Sequence, residues 1–158
     1  MTVLIKNSQR LLRTDRRRLK KITEDLLTFS GQQGKSLSIL FVDNKKITDF
    51  NRRFFGKDRP TNVISFSYIE NYEKSTCGVF PGEIIGDVII SLERAKEEAE
   101  ALSCSYYERL FALIIHGLLH ILGYEHLNDR NEARRMKYRE KKLLNYVYSH
   151  ALYKELTA

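Results

Sequence analysis

His116-Gly-Leu-Leu-His120-Ile-Leu-Gly123-Tyr-Glu125-His126 is the stretch on which the fold turns. The residues before it spell a helix start, since Ser105-Tyr-Tyr-Glu108 has the form of a capping box. Gly123 sits where a helix ends in a left-handed residue. Between these signals Leu110, Phe111, Leu113, Ile114, Ile115, Leu118, Leu119 and Leu122 leave almost no polar face. That pattern predicts a buried helix over about 106–122. His116 and His120 are one helical turn apart, so they share a face. Gly123 then lets the chain turn back, and His126 can approach the same point from outside the helix.

Imidazoles on such a helix are costly unless their nitrogens find partners. Core histidines that donate to backbone carbonyls would account for one such residue. Three at these offsets fit a metal better: imidazole nitrogens at about 2.0–2.1 Å hold a zinc ion and leave a fourth tetrahedral position open. The ligand type favours zinc over iron or copper. The metal-binding offsets are those of the metzincin pattern H-E-x-x-H-x-x-G-x-x-H, with one departure. Gly117 stands where a metalloprotease carries its Glu, which argues against a peptidase. A Glu substituted at 117 is expected to lie beside the metal.

Working outward, Val3 to Lys6 reads as a short strand. A helix with Leu19, Ile22, Leu26 and Phe29 on one face follows, capped by Thr14 or Asp15 and closed by Gly31 and Gly34. Ser36 to Val42 is a strand with Leu37, Ile39 and Phe41 on one side. A short helix presents Ile47, Phe50 and Phe54, capped by Asp43 or Asn44. Asn62 to Tyr68 alternates with period two, setting Ile64, Phe66 and Tyr68 opposite Val63, Ser65 and Ser67. Residues 70–82 read as a loop, and Ile84 to Ile90 as an interior strand. Leu92, Ala95, Ala99 and Leu102 form a helical stripe capped by Ser91, and a last helix covers about 129–149. Strands early and helices late predict an α+β fold: one mixed β-sheet of about four strands packed on helices, with a central buried helix carrying the metal ligands.

The chain has 158 residues, no internal repeat and no linker-like tract, so a single domain over 1–158 is expected. Net charge is +7, which points to an anionic partner, either nucleic acid or an acidic lipid surface. Arg16-Arg17-Arg18 with Lys20 and Lys21 is a solvated helix face or an RNA contact. Arg134 to Lys142 is interleaved with Glu132 and Glu140 and reads more simply as a solvated face, while Met136 belongs with Ala133, Leu143 and Val147 on the apolar side. Cys77 and Cys104 form no pairing motif, consistent with a reduced cytoplasmic setting. The apolar run 111–124 falls short of the roughly 20 residues of a membrane span. Gly31-Gln-Gln-Gly34-Lys35-Ser36 lacks the first Gly of a P-loop and the strand before it. His150 has no partner in sequence.

His116 to His126 resembles the signature H-G-x-L-H-L-x-G-Y-D-H of the YbeY family, metal-dependent bacterial proteins tied to ribosomal RNA maturation. Gly56-Lys-Asp-Arg-Pro-Thr-Asn-Val-Ile-Ser-Phe66 is similar to that family's G-x-D-x-P-T-[DN]-V-L-S-F segment, and Gly86 to Ser91 to its G-D-[IL]-V-I-S strand. The resemblance implies a zincin-like fold, one zinc held by His116, His120 and His126, and a single-strand endoribonuclease acting in maturation of small-subunit ribosomal RNA. Glu125 stands where the family usually has Asp, and beside His126 it is a candidate general base. Phe55 replaces an Arg that serves the family's RNA-cleaving pocket; Arg53 and Arg59 are close enough in sequence to substitute as substrate-binding residues. The alternative is a non-catalytic RNA-binding ribosome-assembly factor with a structural zinc site.

Overall fold

The computed structural model describes residues 3–69, 84–124 and 130–158. Strands β1 (Val3–Asn7), β2 (Ser36–Val42), β3 (Val63–Ser67) and β4 (Ile84–Ser91) form one sheet in the order β1-β2-β4-β3. β1, β2 and β4 run parallel, and β3 is an antiparallel edge on β4. Parallel neighbours need a crossover, which α1 (Arg16–Phe29) supplies between β1 and β2. After β2 comes α2 (Asn44–Phe55), and after β4 come α3 (Leu92–Leu102), α4 (Tyr106–Ile121), α5 (Arg130–Ser149) and α6 (Ala151–Leu156). This is the expected α+β fold with a mixed four-stranded sheet.

Strand alternation sorts the side chains into two layers. Leu37, Ile39, Phe41, Val88 and Ile90 pack with α1, α4 and α5 in the main core. Val42, Ile64 and Ile89 point the other way, under Ile47 of α2. Each buried Leu, Ile or Phe contributes about 1.5–3 kcal/mol, so α4, apolar on nearly every side, is the principal anchor. Two glycines let α4 approach the sheet. A Cβ at Gly117 would stand 2.8 Å from Val88 Cγ1 and 3.5 Å from Val63 Cγ2. A Cβ at Gly86 would meet the Phe66 carbonyl and lie 2.7 Å from Ile121 Cδ1. Ser67 Oγ donates to the Ile121 carbonyl at 2.8 Å, tying the last turn of α4 to the edge strand.

The helix ends follow their sequence signals. Asp15 caps α1 by accepting from Arg18 N at 3.1 Å, and Asp43 caps α2 by accepting from Lys46 N at 2.8 Å. Leu102, placed in the stripe of α3, is 61% exposed, because Ser103 turns left-handed there and the stripe ends at Ala99. Short helix α6 was not evident from periodicity. His150 caps it, its Nδ1 accepting from Leu152 N at 3.1 Å, while Nε2 bonds Asp25 Oδ2 at 2.8 Å.

Burial works against ionisation of Asp25, yet bonds from His150 and Lys21 outweigh it and hold the carboxyl below its ordinary value. A depressed folded pKa contributes stability above the unfolded value, near 3.8, that is lost as pH falls through the folded one. Asp25→Asn is therefore expected to cost about 1 kcal/mol at neutral pH. Its urea midpoint should approach that of the parent protein as pH falls below the unfolded carboxyl value. A constant gap down to the most acidic conditions would dissociate Asp25 from the acid limb.

Candidate metal centre and its cleft

Helix α4 positions the histidine pair. Ser105 Oγ accepts from Glu108 N at 3.1 Å, which fixes the helix start. At the other end Gly123 has φ +96°, and its N–H and that of Tyr124 donate to the carbonyls of His120 and Leu119 at 3.0 and 2.9 Å. This pairing closes the helix as a Schellman motif and directs the chain out of it immediately after His120. His116 and His120 are half-buried, so the helix is buried while its histidine face opens on a cleft.

The two rings converge. His116 Nε2 and His120 Nε2 lie 3.0 Å apart, with ring planes at 74°. Two nitrogens about 2.0–2.1 Å from one tetrahedral zinc would be separated by roughly 3.3 Å, so the pair fits two corners of such a site. The third expected ligand, His126, and the candidate base Glu125 lie outside the described residues, as does Cys77. Among the described residues no group of three His, Cys, Asp or Glu side chains could hold a metal.

Glu140 is the residue that sequence reasoning missed. Read there as part of a solvated face, it instead sets its Oε1 3.2 Å from His116 Nδ1, within hydrogen-bond distance. Its signal was spacing: Met136, Glu140, Leu143 and Val147 fall along the inward stripe of α5, and the three apolar members are fully buried. Gly117 also differs from expectation. Its missing side chain faces Val88 and Val63 on the sheet, so close packing accounts for the glycine, and a Glu at this position would be driven into β4.

A cleft of about 140 Å³ beside His116 and Glu140 is walled by Asn62, Arg109, Ala112 and Leu144. Asn62 also belongs to a second hollow of about 380 Å³, lined by Lys57, Arg59, Arg94 and Glu98. Glu98 knits the two together. Its Oε1 accepts from Arg109 Nε at 3.0 Å, and both of its oxygens accept from Asn62 Nδ2 at 3.2 Å. Asn51 Nδ2 donates to the Arg59 carbonyl at 2.9 Å and pins the segment carrying Lys57 and Arg59. Arg59 thus reaches the hollow next to the histidines, whereas Arg53 sits exposed in the last turn of α2. Phe55 stacks on Phe66, centroids 6.2 Å apart, across the sheet from α4.

A mixed four-stranded sheet thus backs a helix whose convergent imidazoles adjoin a polar cleft. A family model described as Endoribonuclease YbeY matches residues 4–148, and the chain belongs to that family, whose members are nucleases. It is 37% identical over 153 residues to Endoribonuclease YbeY of Syntrophus aciditrophicus (strain SB), covering 96% of this chain and 93% of the relative. It is 40% identical over 144 residues to the Geobacter sulfurreducens protein of that name, covering 90% and 93%. The solution structure of TM1509 from Thermotoga maritima superposes with a TM-score of 0.64 over 93% of this chain and 89% of that one. At 22% identity, that likeness is one of fold.

Proposed function

We propose that this protein is a zinc-dependent, single-strand endoribonuclease in maturation of small-subunit ribosomal RNA, working in the cytoplasm as one domain over residues 1–158. The observation that carries the reading is the approach of two imidazole Nε2 atoms to 3.0 Å on a helix whose next turn leads toward a third histidine in sequence. The name shared by the relatives supports RNA as substrate. No helix among the described residues is long and apolar enough to cross a membrane.

In this reading His116, His120 and His126 hold the zinc. A bound zinc ion supplies Lewis acidity, polarising a phosphoryl oxygen and acidifying water at neutral pH. The chain's own residues do the rest. Lys57 and Arg59 bind backbone phosphates in the hollow that adjoins the histidine cleft through Asn62. Glu98 keeps Asn62 and Arg109 oriented at the junction. Glu125, adjacent to His126, takes the proton of the attacking group. Phosphate neutralisation makes binding salt-dependent, each contact to a single strand contributing about 0.7 of a unit of slope. Lys57→Glu with Arg59→Glu is expected to flatten the log-log salt dependence of single-strand RNA affinity by about 1.4 units, leaving zinc content unchanged. A slope equal to that of the parent protein would move the RNA path elsewhere.

One observation favours a second reading, an RNA-binding assembly factor with structural zinc. Phe55, standing where the family carries Arg, packs on Phe66 away from the cleft and supplies no cation to it. Ribosomal RNA ends in cells lacking the protein separate the two. Under the enzyme reading the parent gene restores mature small-subunit ends and His120→Ala does not, although that variant still binds RNA. Restoration by His120→Ala would favour the assembly factor.

A further inference from the structure

We propose that Glu140 is a positioning residue for the metal centre, holding His116 in the one tautomer that can ligate through Nε2. This rests on the zinc reading above and adds to it a residue on a different helix. Glu140 occupies the inward stripe of α5, between the fully buried Met136 and Leu143, which turns its carboxylate toward α4 rather than bulk water. Its side chain is 27% exposed, and its Oε1 lies 3.2 Å from His116 Nδ1.

An ionised carboxylate only accepts hydrogen bonds, so the proton of a neutral His116 ring is placed on Nδ1. The Nε2 lone pair is then left facing His120 Nε2, 3.0 Å away. Without the carboxylate that hold on Nδ1 is lost, and the ring can carry its proton on Nε2, the isomer that cannot bind a metal there. Carboxylates that orient ligating histidines in this way typically tighten metal binding by about 10–100-fold. Glu140 also walls the cleft beside Asn62 and Arg109, so the group that orients the ligand is itself within reach of substrate. Helix α5 is thereby coupled to the metal centre through Glu140, although the helix that bears His116 is α4.

The test compares Glu140→Ala, Glu140→Gln and Glu132→Ala with the parent protein, using zinc as the probe. Zinc affinity is read by competition with a chromophoric chelator, and the His116 tautomer by ¹⁵N NMR of the metal-free protein. Glu140→Ala is expected to weaken zinc binding by about 10–100-fold. Glu140→Gln, whose amide oxygen still accepts from Nδ1, should recover part of that loss, and Glu132→Ala should bind as the parent does. The His116 ring should carry its proton on Nδ1 in the parent and shift toward Nε2 in Glu140→Ala. Unchanged zinc affinity together with an unchanged tautomer in a folded Glu140→Ala protein would overturn the role. A parent protein that fails to bind zinc would sink the metal reading instead, while the tautomer comparison would still report whether Glu140 holds the ring.

Discussion

His120→Ala and His116→Ala should each bring the zinc content of the purified protein from one per chain to near zero and abolish specific RNA cleavage. A metal acting on a phosphoryl group supplies several kcal/mol of transition-state stabilisation, so the expected loss in kcat is at least about 10³-fold. The fold should survive. Both rings are half-buried, His116 in the wall of a cleft, and the residues that anchor α4, including Leu110, Phe111, Ile114 and Leu118, are fully buried. RNA affinity should change little, because the phosphate contacts proposed for Lys57 and Arg59 lie in the neighbouring hollow and are untouched by the substitutions. Full zinc content in both folded variants, measured by elemental analysis, would remove the site.

Gly117→Glu carries the second large effect, and it is one of folding. The new Cβ would stand 2.8 Å from Val88 Cγ1 and 3.1 Å from Cγ2. Val88 is a short, stiff side chain on an interior strand that cannot swing aside, so either α4 or the sheet must move. Overpacking of this kind costs about 1–3 kcal/mol, and an unpartnered carboxylate buried against β4 adds several more. Against a total stability of about 5–15 kcal/mol, the variant should be largely unfolded or insoluble. Gly117→Ala bears only the steric part and should fold with its stability lowered by about 1–3 kcal/mol, read from urea unfolding. Neither should gain proteolysis. A stable Gly117→Glu protein with the parent's midpoint would mean that the side chain escapes toward the cleft, where a peptidase carries its Glu.

What was legible in the sequence was mostly local. The capping box at Ser105, the stop at Gly123 and the apolar run between them define α4 because all three signals act within one segment. The faces of β2 and β3 followed from period-two alternation, as the separation of Leu37, Ile39 and Phe41 from Ile64 and Phe66 into different layers bears out. The resemblance in residues 56–66 and 116–126 agrees with the family found by comparison. Contacts between segments distant in sequence were not legible. Glu140 lies among Lys and Arg, and although its spacing from Met136, Leu143 and Val147 puts it on the inward stripe of α5, nothing in that helix names an imidazole on α4 as its partner. The Asn62–Glu98–Arg109 junction joins β3, α3 and α4, and its members carry no motif. Strand order placed β4 between β2 and β3, a non-local pairing that periodicity does not encode. Helix α6, six residues long, is too short to show a helical stripe, and its cap is a histidine rather than Ser or Asp.

The most direct measurement is cleavage of a defined single-stranded RNA by protein stripped of metal with a chelator and then titrated with zinc. The account predicts no cleavage by the stripped protein and full recovery at one equivalent of zinc, with no recovery in His120→Ala at any zinc concentration. Cleavage that survives stripping, or that His120→Ala performs at the parent rate, would contradict it.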